Sequence, residues 1–127
     1  YGHRLGMAFQ LVDDLMDYGG EESVMGKPAG SDLKEGQATF PLLAVLPRLS
    51  PAERRDVREV FRPAGGASPD AIERVVELVH ERGGIEATRR IAAEYASRAR
   101  EALSLLPETP AREVLDAASD YVLARDR

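Results

Sequence analysis

Three carboxylates crowd into one short run, Asp13-Asp14-Leu15-Met16-Asp17. Residues 1 to 18 have helical spacing and no proline, and Gly19-Gly20 ends the pattern. At about 100° per residue, Gly2, Gly6, Phe9, Gln10, Asp13 and Asp17 share one side, with Asp14 at its margin. Leu5, Ala8, Leu11, Val12 and Leu15 take the other side. Such a helix packs its aliphatic side on a core. Its opposite side presents an aromatic ring, an amide and stacked carboxylates above glycines that leave room for a ligand near the backbone. Solvation is the ordinary explanation of surface aspartates, but here it carries three penalties. Asp is a poor helix former, like charges one turn apart repel, and negative charge is disfavoured at a helix C-terminus. A hard cation reverses all three. Mg²⁺ binds through one or two carboxylates together with phosphate oxygens and water, so Asp13, Asp14 and Asp17 are the candidate metal ligands.

The next segment supplies a candidate for the phosphate. Only Lys27 and Lys34 among the 17 basic residues are lysine, and both follow the aspartates closely. Lysine is a flexible point charge suited to phosphate. Gly26-Lys27-Pro28-Ala29-Gly30-Ser31-Asp32 is therefore a candidate diphosphate-contacting loop, without the spacing of a Walker A loop. A glycine-rich surface loop with incidental lysines is the plainer alternative.

The elements that would position these residues are all helical. Residues 19 to 38 hold five glycines and Pro28 and read as one long loop, a feature that tends to be functional. Thr39 is placed as N-cap and Pro41 in the first turn of a helix through Leu42-Leu43-Ala44-Val45-Leu46. Pro47 and Ser50-Pro51 end it and start another that runs to about Phe61. Ser68-Pro69-Asp70 opens a helix with Ile72, Val75, Val76 and Val79 on one face, and Gly83-Gly84 breaks it. A long amphipathic helix is expected from Ile85 to Leu106. A last one is expected from Ala111 to about Ala124, with Val114, Leu115, Ala118, Tyr121 and Val122 facing inward. No alternating stretch suits a strand, so the class is all-α with roughly six helices.

Composition narrows the function. The 127 residues are 43% hydrophobic and 31% charged, a globular balance. The net charge of −5 argues against a nucleic-acid-binding role. The absence of cysteine removes disulfides, thiolate metal sites and a thiol nucleophile. The longest apolar run, Pro41 to Pro47, is far short of the roughly 18–20 residues that span a bilayer. An opening Tyr1-Gly2-His3 inside a helical pattern, with no visible leader, reads as part of something longer.

Gly6-Met7-Ala8-Phe9-Gln10 through Asp17-Tyr18, then Gly26-Lys27, Gly30-Ser31-Asp32-Leu33, Glu35-Gly36 and Thr39-Phe40-Pro41-Leu42-Leu43, resemble the second aspartate-rich (DDxxD) region of the trans-polyprenyl diphosphate synthases. The likeness is dense over residues 1 to 43. It continues more loosely through Gly83-Gly84-Ile85-Glu86, Tyr95, Leu105-Leu106-Pro107 and Tyr121-Val122, in a bacterial style. The resemblance implies Mg²⁺-dependent head-to-tail condensation of an allylic prenyl diphosphate with isopentenyl diphosphate, with release of diphosphate. It implies that Asp13 is a direct metal ligand, that Asp14 and Asp17 act mostly through metal-bound water, and that Lys27 contacts the allylic diphosphate. Phe9 and Gln10 would line the reacting end of the allylic chain. It also implies that residues 1–127 form the C-terminal part of an isoprenoid-synthase-type helical bundle, cytoplasmic and homodimeric at full length. The first DDxxD would lie upstream and is absent from this sequence, so this stretch alone would be inactive.

One position departs from the pattern. Many family members carry lysine where Gln37 stands, so one diphosphate contact is missing or is replaced by Lys34. Other candidates weigh less. His3 lies on the aspartate side of its helix, His80 reads as solvated, and Arg125 and Arg127 form a basic tail. Tyr95 and Tyr121 read as core. Two alternatives stay open: a non-catalytic or regulatory half-site subunit, and a terpene cyclase or head-to-head synthase. The Gly26-Lys27 loop and Thr39-x-Pro41 weigh against the second.

Overall fold

The computed structural model of the chain describes residues 1–19, 29–62 and 66–125. Among these residues there are seven α-helices and one 3-10 turn: α1 (Gly2–Met16), α2 (Ser31–Lys34), α3 (Phe40–Val45), the turn (Leu46–Arg48), α4 (Pro51–Val60), α5 (Pro69–Glu81), α6 (Gly84–Leu103) and α7 (Pro110–Ala124). No strand occurs among the described residues.

The 20-residue α6 is the axis of the fold, packing against α1, α3, α5 and α7. Its buried face is a row of small side chains, Gly84, Thr88, Ala92, Ala96 and Ala99, closed by Leu103. Small residues one turn apart let α1 approach closely, and Ala8, Leu11 and Val12 of α1 meet Ala92, Ala96 and Val122 in one of two apolar clusters. The other joins α3, α4 and α5 through Leu42, Val45, Val57, Val60, Val75 and Val79, and takes in Leu15, Tyr18 and Leu33. Each fully buried Val or Leu contributes about 1.5–3 kcal/mol. Thus α1 has its middle in one cluster and its end in the other, which fixes the aspartate run between them.

Gly84 marks the closest approach. A Cβ there would sit 2.5 Å from the Pro41 carbonyl oxygen and 2.8 Å from Val79 Cγ1. The start of α6 is thereby pressed onto α3, which carries Phe40.

Two helices start where Ser50-Pro51 and Ser68-Pro69 mark them. Ser50 and Glu53 form a complete capping box at α4, and Ser68 accepts from the Ala71 amide at α5. The Glu53 carboxylate also receives Arg82 at the end of α5, with Arg82 Nε at 2.8 Å. Contacts with Ser50 first, then with Arg82, hold the Glu53 carboxyl down at about 2, from an ordinary 4.5. A depressed acid stabilises the fold above its ordinary pKa, and that contribution is lost as pH falls through the folded value. The α4–α5 pairing is therefore expected to weaken between about pH 4.5 and 2. Thermal melts across that window check this: the midpoint of the wild type should fall more steeply than that of Glu53→Gln.

Four expectations need correction. The segment 19 to 38 is not all loop, because α2 forms inside it. Thr39 stands at the N-cap of α3, but its side chain makes no capping bond. The α6 helix stops at Leu103, three residues early, leaving Leu105 and Leu106 exposed. On α7, Tyr121 is 72% and Val114 69% exposed, and only Ser119 and Val122 are buried, so most of the face expected inside points outward.

Candidate functional site

The C-terminal end of α1 separates the three motif aspartates by environment. Asp13 is exposed, Asp14 is buried at 8% exposure, and Asp17 lies between. Asp14 Oδ1 accepts from Gln10 Nε2 at 2.8 Å and Oδ2 from the Phe40 amide at 3.1 Å. Asp17 Oδ1 accepts from the Ser31 amide at 2.9 Å and Oδ2 from the Asp32 amide at 3.0 Å. The Asp17 carbonyl takes the Gly30 amide at 2.8 Å. These donors stand at the N-termini of α3 and α2, where unpaired amides and the helix dipole favour negative charge. Two of the three aspartates thus recover within the fold what they forfeit at the end of their own helix.

Among the described residues, no backbone amide donates to the Asp13 carboxylate. It faces Arg125 at the end of α7, with Nη2 3.9 Å from Oδ1. The Arg125 guanidinium lies over the Phe9 ring, 4.4 Å from its centroid. Sequence reasoning assigned Arg125 only to a basic tail. No spacing pattern could have found the contact, because it depends on α7 packing back onto α1. Phe9 itself is 43% exposed beside the aspartates, and Gln10 is exposed.

Asp32 and Glu35 extend the acidic surface. Burial, and then the charges of Asp17, Asp14, Glu35 and Asp13, raise the Asp32 carboxyl above its ordinary range. Burial raises Asp17 as well; the Asp32 and Ser31 amides oppose the shift, and Glu35 and Asp14 add to it. A raised acid resists ionisation in the folded state, so ionised carboxylates here cost stability as pH rises through their folded values. Positive charge at the patch relieves that cost. The Tyr18 hydroxyl beneath it is pushed up to about 12, chiefly by burial, and it faces the Thr39 hydroxyl without completing a hydrogen bond.

The donor set fits Mg²⁺. Among the described residues no three acidic or histidine side chains converge on one point. Mg²⁺ needs no all-protein cage, however, and takes few carboxylates when phosphate oxygens complete its shell. Asp13 offers such a carboxylate at the edge of an acidic surface.

Lys27 lies outside the described residues, as does Arg127. Lys34 is exposed in the last turn of α2, and Gln37 Nε2 donates to Glu35 Oε2 at 3.2 Å. His3 is exposed on α1. His80 is not simply solvated: its Nε2 lies 2.6 Å from the Tyr18 carbonyl oxygen and ties the end of α5 to the end of α1. An open groove between α3 and α6, lined by Phe40, Ala44, Arg48, Glu86, Arg90 and Ile91, contains none of the candidate residues.

A family model described as polyprenyl synthetase matches residues 1–79. The octaprenyl diphosphate synthase of Escherichia coli (strain K12) is 39% identical over 127 residues, which is 100% of this chain and 39% of that protein. The probable mitochondrial hexaprenyl pyrophosphate synthase of Neurospora crassa is 42% identical over 130 residues, 100% of this chain and 27% of its own length. The polyprenyl synthase from Caulobacter crescentus CB15, solved as a complex with calcium and isoprenyl diphosphate, has a TM-score of 0.85 at 39% identity. The match covers 100% of this chain and 38% of that one. The geranylgeranyl pyrophosphate synthase from Bacteroides thetaiotaomicron gives a TM-score of 0.87 at 35% identity, over 98% of this chain and 40% of that one. The chain therefore spans less than half the length of these relatives. The aspartate helix, the elements it caps and the α3–α6 contact lie on a backbone shared with these enzymes, and the chain belongs to the polyprenyl synthetase family.

Proposed function

We propose that the complete protein is a Mg²⁺-dependent polyprenyl diphosphate synthase, and that residues 1–127 are the C-terminal part of its helical domain, bearing the second aspartate-rich motif. The observation that carries this reading is the environment of Asp13. It is the one motif carboxylate left facing solvent, one turn beyond Phe9 and among four further carboxylates, Asp14, Asp17, Asp32 and Glu35.

In the reaction, the allylic carbon–oxygen bond breaks, diphosphate departs, and the double bond of isopentenyl diphosphate attacks the allylic carbon before a proton is lost. Mg²⁺, when bound, supplies positive charge to the departing diphosphate. Asp13 would hold it, with Asp14 and Asp17 contributing through solvent. Lys27 contacts the allylic diphosphate as a point charge. Gln10, oriented by its bond to Asp14, and the exposed ring of Phe9 line the reacting end of the allylic chain. Homodimerisation and a cytoplasmic setting accompany the resemblance. Among the described residues, no helix is long and apolar enough to cross a membrane.

A half-site subunit is the second reading; a 37% identical relative is named as subunit 1 of a decaprenyl-diphosphate synthase, although this chain covers only 32% of it. This second reading predicts that activity appears only when a second, different polypeptide is added.

Calorimetric titration of the full-length protein with inorganic pyrophosphate tests the site. Binding is expected only with Mg²⁺ present, and Asp13→Asn should weaken it at least about tenfold, the loss of roughly 1.4 kcal/mol of charge-assisted contact. Pyrophosphate binding of equal affinity with and without Mg²⁺ contradicts the proposal.

A further inference from the structure

We infer that Arg125 is a positioning residue of the proposed site: seated on the Phe9 ring, its guanidinium keeps the place of the metal beside Asp13 and yields that carboxylate when Mg²⁺ arrives. The metal half of this inference rests on the function proposed above. The seat on Phe9 stands on contacts within this chain.

The last helix runs alongside the first. The Tyr1 hydroxyl donates to the Leu115 carbonyl at 2.6 Å towards one end, and Arg125 meets Phe9 and Asp13 at the other. The inward face of α7 is narrow. Ser119 and Val122 are its buried residues, and Arg125 continues their three-residue spacing. Val122 packs with Ala8 and Val12 of α1, the sequence neighbours of Phe9 and Asp13. The Arg125 amide closes on the Val122 carbonyl, so this anchor delivers the Arg125 side chain to α1. There the guanidinium carbon lies 4.4 Å from the Phe9 centroid, a distance at which ring and cation attract. Phe9 and Asp13 are one turn apart, so a single guanidinium reaches both. The two holds differ. Nη2 is 3.9 Å from the Asp13 carboxylate, beyond hydrogen-bond length, and Nη1 is buried without a hydrogen-bond partner among the described residues. The ring, and not the carboxylate, therefore seats the charge. While the metal is away, that charge offsets part of the repulsion that Asp13 adds to the acidic surface around Asp32. The loose pair also opens at little cost, because the guanidinium keeps its seat on Phe9 when a divalent cation takes Asp13. Both are positive and both use one carboxylate, so they compete.

Melting of the full-length protein at a fixed concentration of pyrophosphate, titrated with Mg²⁺, tests the exchange. Arg125→Met keeps an apolar stem over Phe9 and removes the charge. It should lower the Mg²⁺ concentration that gives half the rise in melting temperature by about two- to fivefold, the weight of a loose surface ion pair. Arg125→Lys keeps the charge and should restore the wild-type midpoint. An unchanged midpoint in Arg125→Met overturns the inference. So does an Arg125→Lys midpoint that follows Arg125→Met, because the effect would then be one of packing. A raised midpoint would make Arg125 a contact of the pyrophosphate itself and overturns the inference as well. A second arm needs no metal. In urea unfolding of the metal-free protein, Arg125→Met and Phe9→Leu are expected to couple, the double variant departing from additivity by about two- to fivefold in the unfolding equilibrium constant. Additive effects overturn the seat on Phe9. No Mg²⁺-dependent rise in the wild type itself would fault the metal reading, and the unfolding arm would still decide the seat.

Discussion

Asp13→Ala in the full-length protein is expected to lower Mg²⁺-dependent condensation by about 10²–10³-fold, the cost of removing one electrostatic contact to a developing leaving-group charge. Folding stability should stay within about 0.5 kcal/mol of wild type. The side chain is exposed and its ion pair with Arg125 is 3.9 Å long and at the surface, a class worth about 0–1 kcal/mol. Removing one charge from a patch of like charges also relieves repulsion on Asp32. Steady-state kinetics and a denaturant titration on the same preparation check both halves. Near-wild-type turnover would remove Asp13 from the metal site. A large stability loss would make it a structural residue like its neighbours.

The second large effect is expected at Gly30. A Cβ at this position would sit 2.5 Å from Ile72 Cγ2 and 3.3 Å from Val76 Cγ2, with the backbone at φ +82°. Left-handed backbone strain costs a non-glycine residue about 1–3 kcal/mol, and overpacking a core adds about 1–3 kcal/mol. Gly30→Ala should therefore destabilise the protein by about 2–6 kcal/mol. It should also lower Mg²⁺-dependent activity, because Gly30 is the first of the three amides held by Asp17. Chemical denaturation of the variant measures the first effect, and added Mg²⁺ with pyrophosphate should restore only part of it. By contrast Gly36, also at positive φ, has open space around its Cβ position, so Gly36→Ala should carry the backbone strain without the clash.

Much of the fold was legible in local chemistry. Ser50-Pro51 marked the start of α4, Ser68-Pro69-Asp70 marked the start of α5, and Gly83-Gly84 separated α5 from α6; all three hold. What was not legible depended on distant partners. The α2 helix has four residues between Gly30 and Gly36, and its acceptor comes from Asp17, just past the end of α1. Thr39 had the residue type and place of an N-cap, but its side chain makes no capping bond, and a buried carboxylate from α1 accepts from the Phe40 amide. The outward side chains of α7 show the limit of periodicity. It identifies an apolar stripe on a helix, but whether Val114 and Tyr121 are covered depends on which elements lie beside it.

The candidate site divides in the same way. Clustering of Asp13, Asp14 and Asp17 against helix preference signalled that something compensates them. The wheel placed Asp14 at the margin of the acidic side, where it proves to be buried. Sequence reasoning assigned the compensation of all three to a cation. In the fold, the positive ends of α2 and α3 compensate two, and Asp13 is the motif carboxylate that stays exposed. Arg125 over Phe9 is the contact that no local pattern encoded.

The most direct test of the central claim is incorporation of labelled isopentenyl diphosphate into polyprenyl diphosphate by the full-length protein, using an allylic diphosphate as starter. Labelled product that requires both Mg²⁺ and the starter is the predicted result. No product under those conditions, or product formed equally well after chelation of divalent metal, would contradict it.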